Sequence, residues 1–176
     1  MNLDDHKYIY IRGFIFFGIF IVLHYMYDLF PNVLFQIISG INESIFQHMK
    51  IGFYSYIITV IIEFFVFKRK ITDKIKFLFS RIFSTIFYPW VMFIFFFFTR
   101  VVYPWQMHFI VEIILAQVIT YISVVVLSFI ELDIIKIEFG KRLKAILVIL
   151  IILLIIEFTA FSFYLPWHDV FTDPYS

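Results

Sequence analysis

This sequence predicts an all-α integral membrane protein: a compact bundle of five transmembrane helices, one domain over residues 1–176, with a cytoplasmic N-terminus and an extracytoplasmic C-terminus. Three observations predict it. The 176 residues are 63% hydrophobic and 15% charged, with a mean hydropathy of +0.98, whereas soluble domains run nearer half apolar and a quarter charged. Five apolar segments are long enough to cross, since about 20 helical residues span the hydrocarbon. The basic residues gather on one side of those segments, as the positive-inside bias requires. The 27 Phe residues against five Gly and five Pro describe long, stiff helices, and the alternation of a membrane barrel is absent.

The first span, Tyr8 to Phe30, follows the acidic pair Asp4 and Asp5 and is too long for the apolar region of a signal peptide, so it is expected to remain as a helix. Its outer end reads "LHYMYD", where His24 and Asp28 lie four apart and project from one face. The second span, Glu43 to Phe67, opens in "NESIFQHMK". Ser44 and His48 share a face there, continued inward by Gly52, Ser55, Thr59 and Glu63 as a small and polar stripe. Glu43 and His48 are five apart and diverge by roughly 140° on a regular helix, so no Glu43/His48 pair is expected. Asn42, following Gly40, is expected to cap this helix, with Glu43 at the positive end of its dipole.

The third span, Phe77 to Phe98, carries the run "FIFFFFT", bulk for lipid or core, and leads to Arg100. In the fourth, Pro104 to Ile130, His108 and Glu112 again lie four apart, followed by Ala116, Thr120 and Ser123. Glu112 is expected about 12 Å below the start of that helix, deep for a carboxylate without a partner. The segment "ELDIIKIEFGKRLK" interleaves apolar and charged residues and is expected to form a short helix lying on the inner interface. The fifth span, Ala145 to Tyr164, contains Glu157, and the chain closes in "LPWHDVFTDPYS".

Lys7, Arg12, Lys68, Arg69, Lys70, Lys74, Lys76, Arg81, Lys136, Lys141, Arg142 and Lys144 fall on one side, twelve of the 14 basic residues. That side is taken as cytoplasmic. Lys50 and Arg100 fall on the other, either snorkelling to the headgroups or holding an anionic group. Trp90, Tyr103, Trp105 and Trp167 read as an aromatic belt near the outer boundary. With this topology His24, His48, His108 and His168 all map to the outer face, and only His6 is left inside. Asp28, Glu43, Glu112, Asp169 and Asp173 follow them, with Glu157 within reach from the fifth span. One histidine at a membrane boundary is ordinarily an interfacial hydrogen-bonder; four on one face argue for a shared site.

The absence of cysteine excludes disulfides and thiolate ligands, which leaves imidazole, carboxylate, hydroxyl and amine chemistry. His24, His48, His108 and His168 are the candidate ligands of a divalent metal ion such as zinc. Glu112 is the candidate base, Ser44 the candidate nucleophile, and Asp28 the group that would orient an imidazole. Lys50, Arg100, Asn42, Glu43 and Asp173 are candidates for holding an anionic substrate.

The stretches "LHYMYD", "NESIFQHMK", "HFIVE" and "LPWHDVFTDP" resemble an uncharacterised family of small bacterial and archaeal polytopic membrane proteins, with patterns L-H-x-x-Y-D, N-E-S-x-W-x-H-x-K, H-x-x-x-D and a P-H…D-P tail. The resemblance runs end to end. It implies that His24, Asp28, Asn42, Glu43, Ser44, His48, Lys50, His108, Glu112, His168, Asp173 and Pro174 are the characteristic positions. Phe46 stands where the family favours Trp, and Glu112 where it favours Asp. The family implies no activity.

Two functions are expected from these residues. The first is a metal-dependent hydrolase or transferase in the cell membrane, its site facing the extracytoplasmic side and acting on a lipid or other membrane-proximal substrate. The alternative is a transporter or binding component for a metal ion, proton or small polar ligand, with Glu63 and Glu157 extending a path inward. Membrane lipids are the expected partners, and a net charge of +1 gives no reason to expect nucleic acid. The sequence leaves the oligomeric state open.

Overall fold

The computed structural model describes residues 6–103, 108–167 and 169–172, without the side chains of Arg100, Phe109 and Asp169. Trp105, His168, Asp173, Pro174 and the Arg100 side chain therefore lie outside the described residues. Among the described residues six α-helices are formed: α1 (His6–Leu29), α2 (Val33–Ile38), α3 (Ile45–Phe67), α4 (Lys74–Val102), α5 (Phe109–Ile134) and α6 (Lys141–Phe163), followed by a 3-10 turn over Asp169–Phe171. There is no strand among the described residues. Every helix except α2 is long and apolar enough to cross a membrane.

A long apolar helix forms at each of the five expected spans, with shifted ends. Asp73 starts α4 earlier than expected, accepting from the backbone N–H groups of Ile75 and Lys76. The inner-interface helix expected over "ELDIIKIEFGKRLK" does not form. Glu131 is buried and closes α5, the chain turns between 135 and 140, and Lys141 opens α6 behind Gly140. Short α2 was not expected; Asn32 caps it by accepting from the Phe35 N–H at 3.1 Å.

Helices α1, α3, α4 and α5 surround the core, while α6 packs against α4 and α2. The polar stripe of α3 faces inward as expected, with Ser55, Thr59 and Glu63 all buried. Its hydroxyls partly serve their own helices: Thr59 donates to the Ser55 carbonyl, as Thr120 and Ser123 of α5 do to Ala116 and Ile119. Across the middle lies an aromatic layer, with the Phe16 ring 4.8 Å from Tyr88 and 5.9 Å from Tyr56. Tyr88 presses on Gly52 so closely that a Cβ there would meet its ring at 2.1 Å.

At the end formed by the starts of α1 and α4 and the finishes of α3 and α5, a closed ring of charge is buried. Arg12 pairs with Glu63 (Nε–Oε1 3.1 Å) and with Glu131; Arg81 pairs with Glu63 (Nε–Oε2 3.1 Å) and with the same Glu131 oxygen. Tyr8 donates to Glu63 at 2.6 Å, Tyr56 to Glu131 at 2.8 Å, and Arg12 to the Ser128 hydroxyl at 2.9 Å. Two cations and two anions thus alternate, joining four helices roughly 5 to 10 Å inside their ends at 1.5 Å per residue. The sequence counted Arg12 and Arg81 simply as inner-side charges, and placed Glu63 on a path and Glu131 in a surface helix. Burial requires compensation, and each of these charges finds it in the others.

Candidate metal centre

At the opposite end of the bundle, α1 carries His24 in its last turns and α3 begins next to it. The first residue of α3 is Ile45, because Ser44 occupies the N-cap and its hydroxyl accepts from the Gln47 N–H at 3.3 Å. Asn42 is one step removed from the capping role expected of it: its side chain accepts from the Ser44 N–H at 3.0 Å. Glu43 consequently sits in the bend that precedes the helix, so the helical angle that separated it from His48 does not apply. Its carboxylate reaches both histidines, with Oε1 3.4 Å from His24 Nε2 and Oε2 3.5 Å from His48 Nε2. This corrects the expectation that Glu43 and His48 diverge.

One ligand atom from each of His24, Glu43 and His48 lies within 4.8 Å of the other two. The imidazole centroids are 5.2 Å apart, and Phe20 underlies both at 6.3 Å. His48 Nδ1 is 2.9 Å from the Ser44 carbonyl oxygen. A carbonyl can only accept, so Nδ1 donates to it, and Nε2 is the ring atom that faces Glu43. A ring nitrogen and a carboxylate oxygen facing each other at this distance need a cation between them, either a proton or a metal ion. His24 Nδ1 is buried without a hydrogen-bond partner, so this ring lacks the anchor that fixes His48. The hydrogen bond from His24 holds the Glu43 carboxyl below its ordinary value, against the opposing effect of partial burial. Two imidazoles and a carboxylate are the donor types that suit zinc and other divalent transition metals.

A model of a family of unknown function, DUF6512, matches residues 1–176. The chain belongs to this family. No curated protein and no solved structure matches it.

The other candidates of this DUF6512 chain do other work. Ser44, the candidate nucleophile, is fully buried, with its hydroxyl engaged in the cap. Lys50 is also fully buried, neither snorkelling nor facing the cluster: Nζ donates to the Gln36 carbonyl and to the Ser162 hydroxyl, both at 2.9 Å. Gln36 Nε2 in turn donates to the Ser162 carbonyl at 2.9 Å. The ammonium thereby sits at the carboxyl ends of α2 and α6, where the helix dipoles favour a cation. His108 is the exposed N-cap of α5, its Nδ1 accepting from the Ile110 N–H at 3.4 Å. Glu112 lies in the first turn of that helix, about 4.5 Å from its start rather than 12 Å. Neither joins the His24–Glu43–His48 group among the described residues. Asp28 is exposed one turn beyond His24, and Glu157 is exposed on α6 instead of reaching the site.

Glu43 as a member of the cluster was missed, yet a signal was present. Ser44-Ile45-Phe46-Gln47 is a capping-box spacing that starts the helix at Ile45 and frees the residue before the cap.

Proposed function

We propose that this DUF6512 protein is a divalent-metal-dependent hydrolase or transferase of the cell membrane, acting on a lipid or other membrane-proximal substrate. The metal is held by His24, Glu43 and His48 at the extracytoplasmic end of the bundle. The observation that carries this reading is the convergence of His24 Nε2 and His48 Nε2 on the two oxygens of Glu43, at 3.4 and 3.5 Å, with His48 Nδ1 anchored 2.9 Å from the Ser44 carbonyl. Three protein ligands leave a tetrahedral ion one position for water, and a metal-bound water supplies a nucleophile near neutral pH. Glu43 is 46% exposed, so the open side of the cluster is reachable from outside the bundle. Asp28, exposed one turn along α1 from His24, would orient the imidazole. The enrichment of Lys and Arg around the opposite end supports the assignment of this end to the outside.

The packed layer of Phe16, Tyr56 and Tyr88 below the cluster weighs against the transport alternative, since it leaves the cluster facing one end only. Elemental analysis of protein purified from metal-supplemented cells tests the site. About one divalent ion per chain is expected in the parent and none in a His24→Ala/His48→Ala double variant; a parent without bound metal sinks the proposal. Enzyme and transporter then separate by incubating membrane lipids with metal-loaded protein. New products by mass spectrometry support the enzyme, and metal uptake into liposomes without products would replace it with transport.

A further inference from the structure

Glu157 is anomalous in a different way from the metal cluster. It lies on α6, the helix that packs against the bundle on one side only, and its side chain is exposed. It stands about 24 Å from the start of α6 and about 9 Å from its end at 1.5 Å per residue, within the part of the helix that would cross hydrocarbon. No hydrogen bond or ion pair to it exists among the described residues. Carboxylates embedded in spans almost always face a bundle interior or a partner, because a polar group against lipid chains is costly. The ring at the inner end obeys that rule, and Glu157 breaks it.

The residues around it form a seam. Ile146, Leu150, Leu153, Glu157 and Ala160 recur at alternating spacings of four and three, and every one of them is exposed. That is the repeat by which two helices pack along their length, with a polar residue at one core position fixing register, and Ala160 allows close approach just beyond it. We infer that α6 is a self-association surface, on which a second copy of this chain pairs with Glu157 against Glu157 across a two-fold axis. Copies inserted the same way in a membrane bring their seams together in parallel, so identical positions meet. A carboxyl in hydrocarbon is least costly as the hydrogen-bonded neutral acid, which both donates and accepts and is therefore complementary to itself. Among the described side chains no cation is left for it: Lys50 is committed inside the bundle, and Lys141, Arg142 and Lys144 lie at the far end of α6, while the Arg100 side chain lies outside the described residues.

The test uses the full chain in phosphatidylcholine liposomes, and the lack of native cysteine makes single-cysteine cross-linking clean. Leu153→Cys, one turn from Glu157, is expected to cross-link as a dimer, and Phe14→Cys on the exposed face of α1 is expected not to. Adding Glu157→Leu lowers the dimer association constant about three- to thirtyfold, while Glu157→Gln, which also donates and accepts, preserves it. Both substitutions lie outside the packed interior, and unchanged helical circular dichroism with an unchanged inner ring (Arg12 and Arg81 inaccessible to guanidine reagents) verifies the fold. Parent protein that stays monomeric at every lipid ratio overturns the inference. So does equal cross-linking at Phe14→Cys, or a Glu157→Leu variant that dimerises like the parent.

Discussion

The two histidines of the cluster are not equivalent. The Ser44 carbonyl already holds the Nδ1 proton of His48, whereas His24 donates to Glu43 through Nε2 and, to coordinate a metal there, would have to carry its proton on a buried Nδ1 that has no acceptor. An unsatisfied buried donor costs about 1–3 kcal/mol, and this sets the order of two substitutions. His48→Ala is expected to weaken metal binding more than His24→Ala, by calorimetric titration, and a reversed order would show that Ser44 does not set the tautomer. pH acts on the same residues through Glu43. Its folded value is lowered, so the stability it contributes is complete above the ordinary carboxylate value and is lost as pH falls through the lowered one. The loss is expected to be absent from Glu43→Gln when thermal unfolding is followed against pH. Gly52 is a third residue with a definite expectation. Gly52→Ala drives a methyl into the Tyr88 ring and should destabilise by about 1–3 kcal/mol in denaturant unfolding, with Tyr88→Phe giving little relief because the clash is with ring carbons.

At the scale of elements, the start of α3 decides the site. Ser44→Ala removes the cap hydroxyl and is expected to cost about 0.5–2 kcal/mol. It should also lower metal affinity, because the fraying that follows moves Glu43 and the Ser44 carbonyl together; unchanged affinity in a destabilised variant would separate the two roles. Helix α2 depends on Lys50 in a comparable way. Lys50→Met leaves the Gln36 and Ser162 acceptors unpaired and is expected to raise hydrogen exchange throughout α2 while leaving α5 unaffected. The spans themselves were legible in the sequence because apolar length is a strong signal. Helix ends were less so: a shift of two residues at Glu43 changed it from a residue turned away from His48 into one that touches it. Lys50 was misplaced for a related reason, since its acceptors come from Gln36 and Ser162, which are distant in sequence and whose approach only packing reveals.

For the whole molecule, the two ends are chemically unlike. One end holds an accessible His/carboxylate group, the other a saturated ring, and an aromatic layer separates them. Removing one member of the ring leaves an uncompensated buried charge, so Glu131→Ala is expected to cost about 3–5 kcal/mol or to prevent folding. Replacing all four with apolar residues of similar volume is expected to be close to neutral in stability and to leave metal binding intact, which a thermal-shift assay with and without metal would check. Sequence reasoning found twelve basic residues on one side but could not foresee that two of them turn inward, because loop-side and buried arginines look alike until a matching Glu63 and Glu131 are brought to the same depth.

The ring also sets a schedule for biogenesis. Arg12 and Glu131 are separated by 119 positions, so at 5–20 residues per second Arg12 is synthesised about 6 to 24 s before its second partner. Glu63 arrives earlier and can neutralise it, but Arg81 then enters as a surplus cation that stays unmatched until α5 emerges. During that interval the nascent chain carries an unbalanced guanidinium, which in a membrane-inserted chain would have to be sheltered or left in the headgroup region. A ribosome stalled between α4 and α5 should therefore hold a substrate whose first three spans have not yet closed on one another.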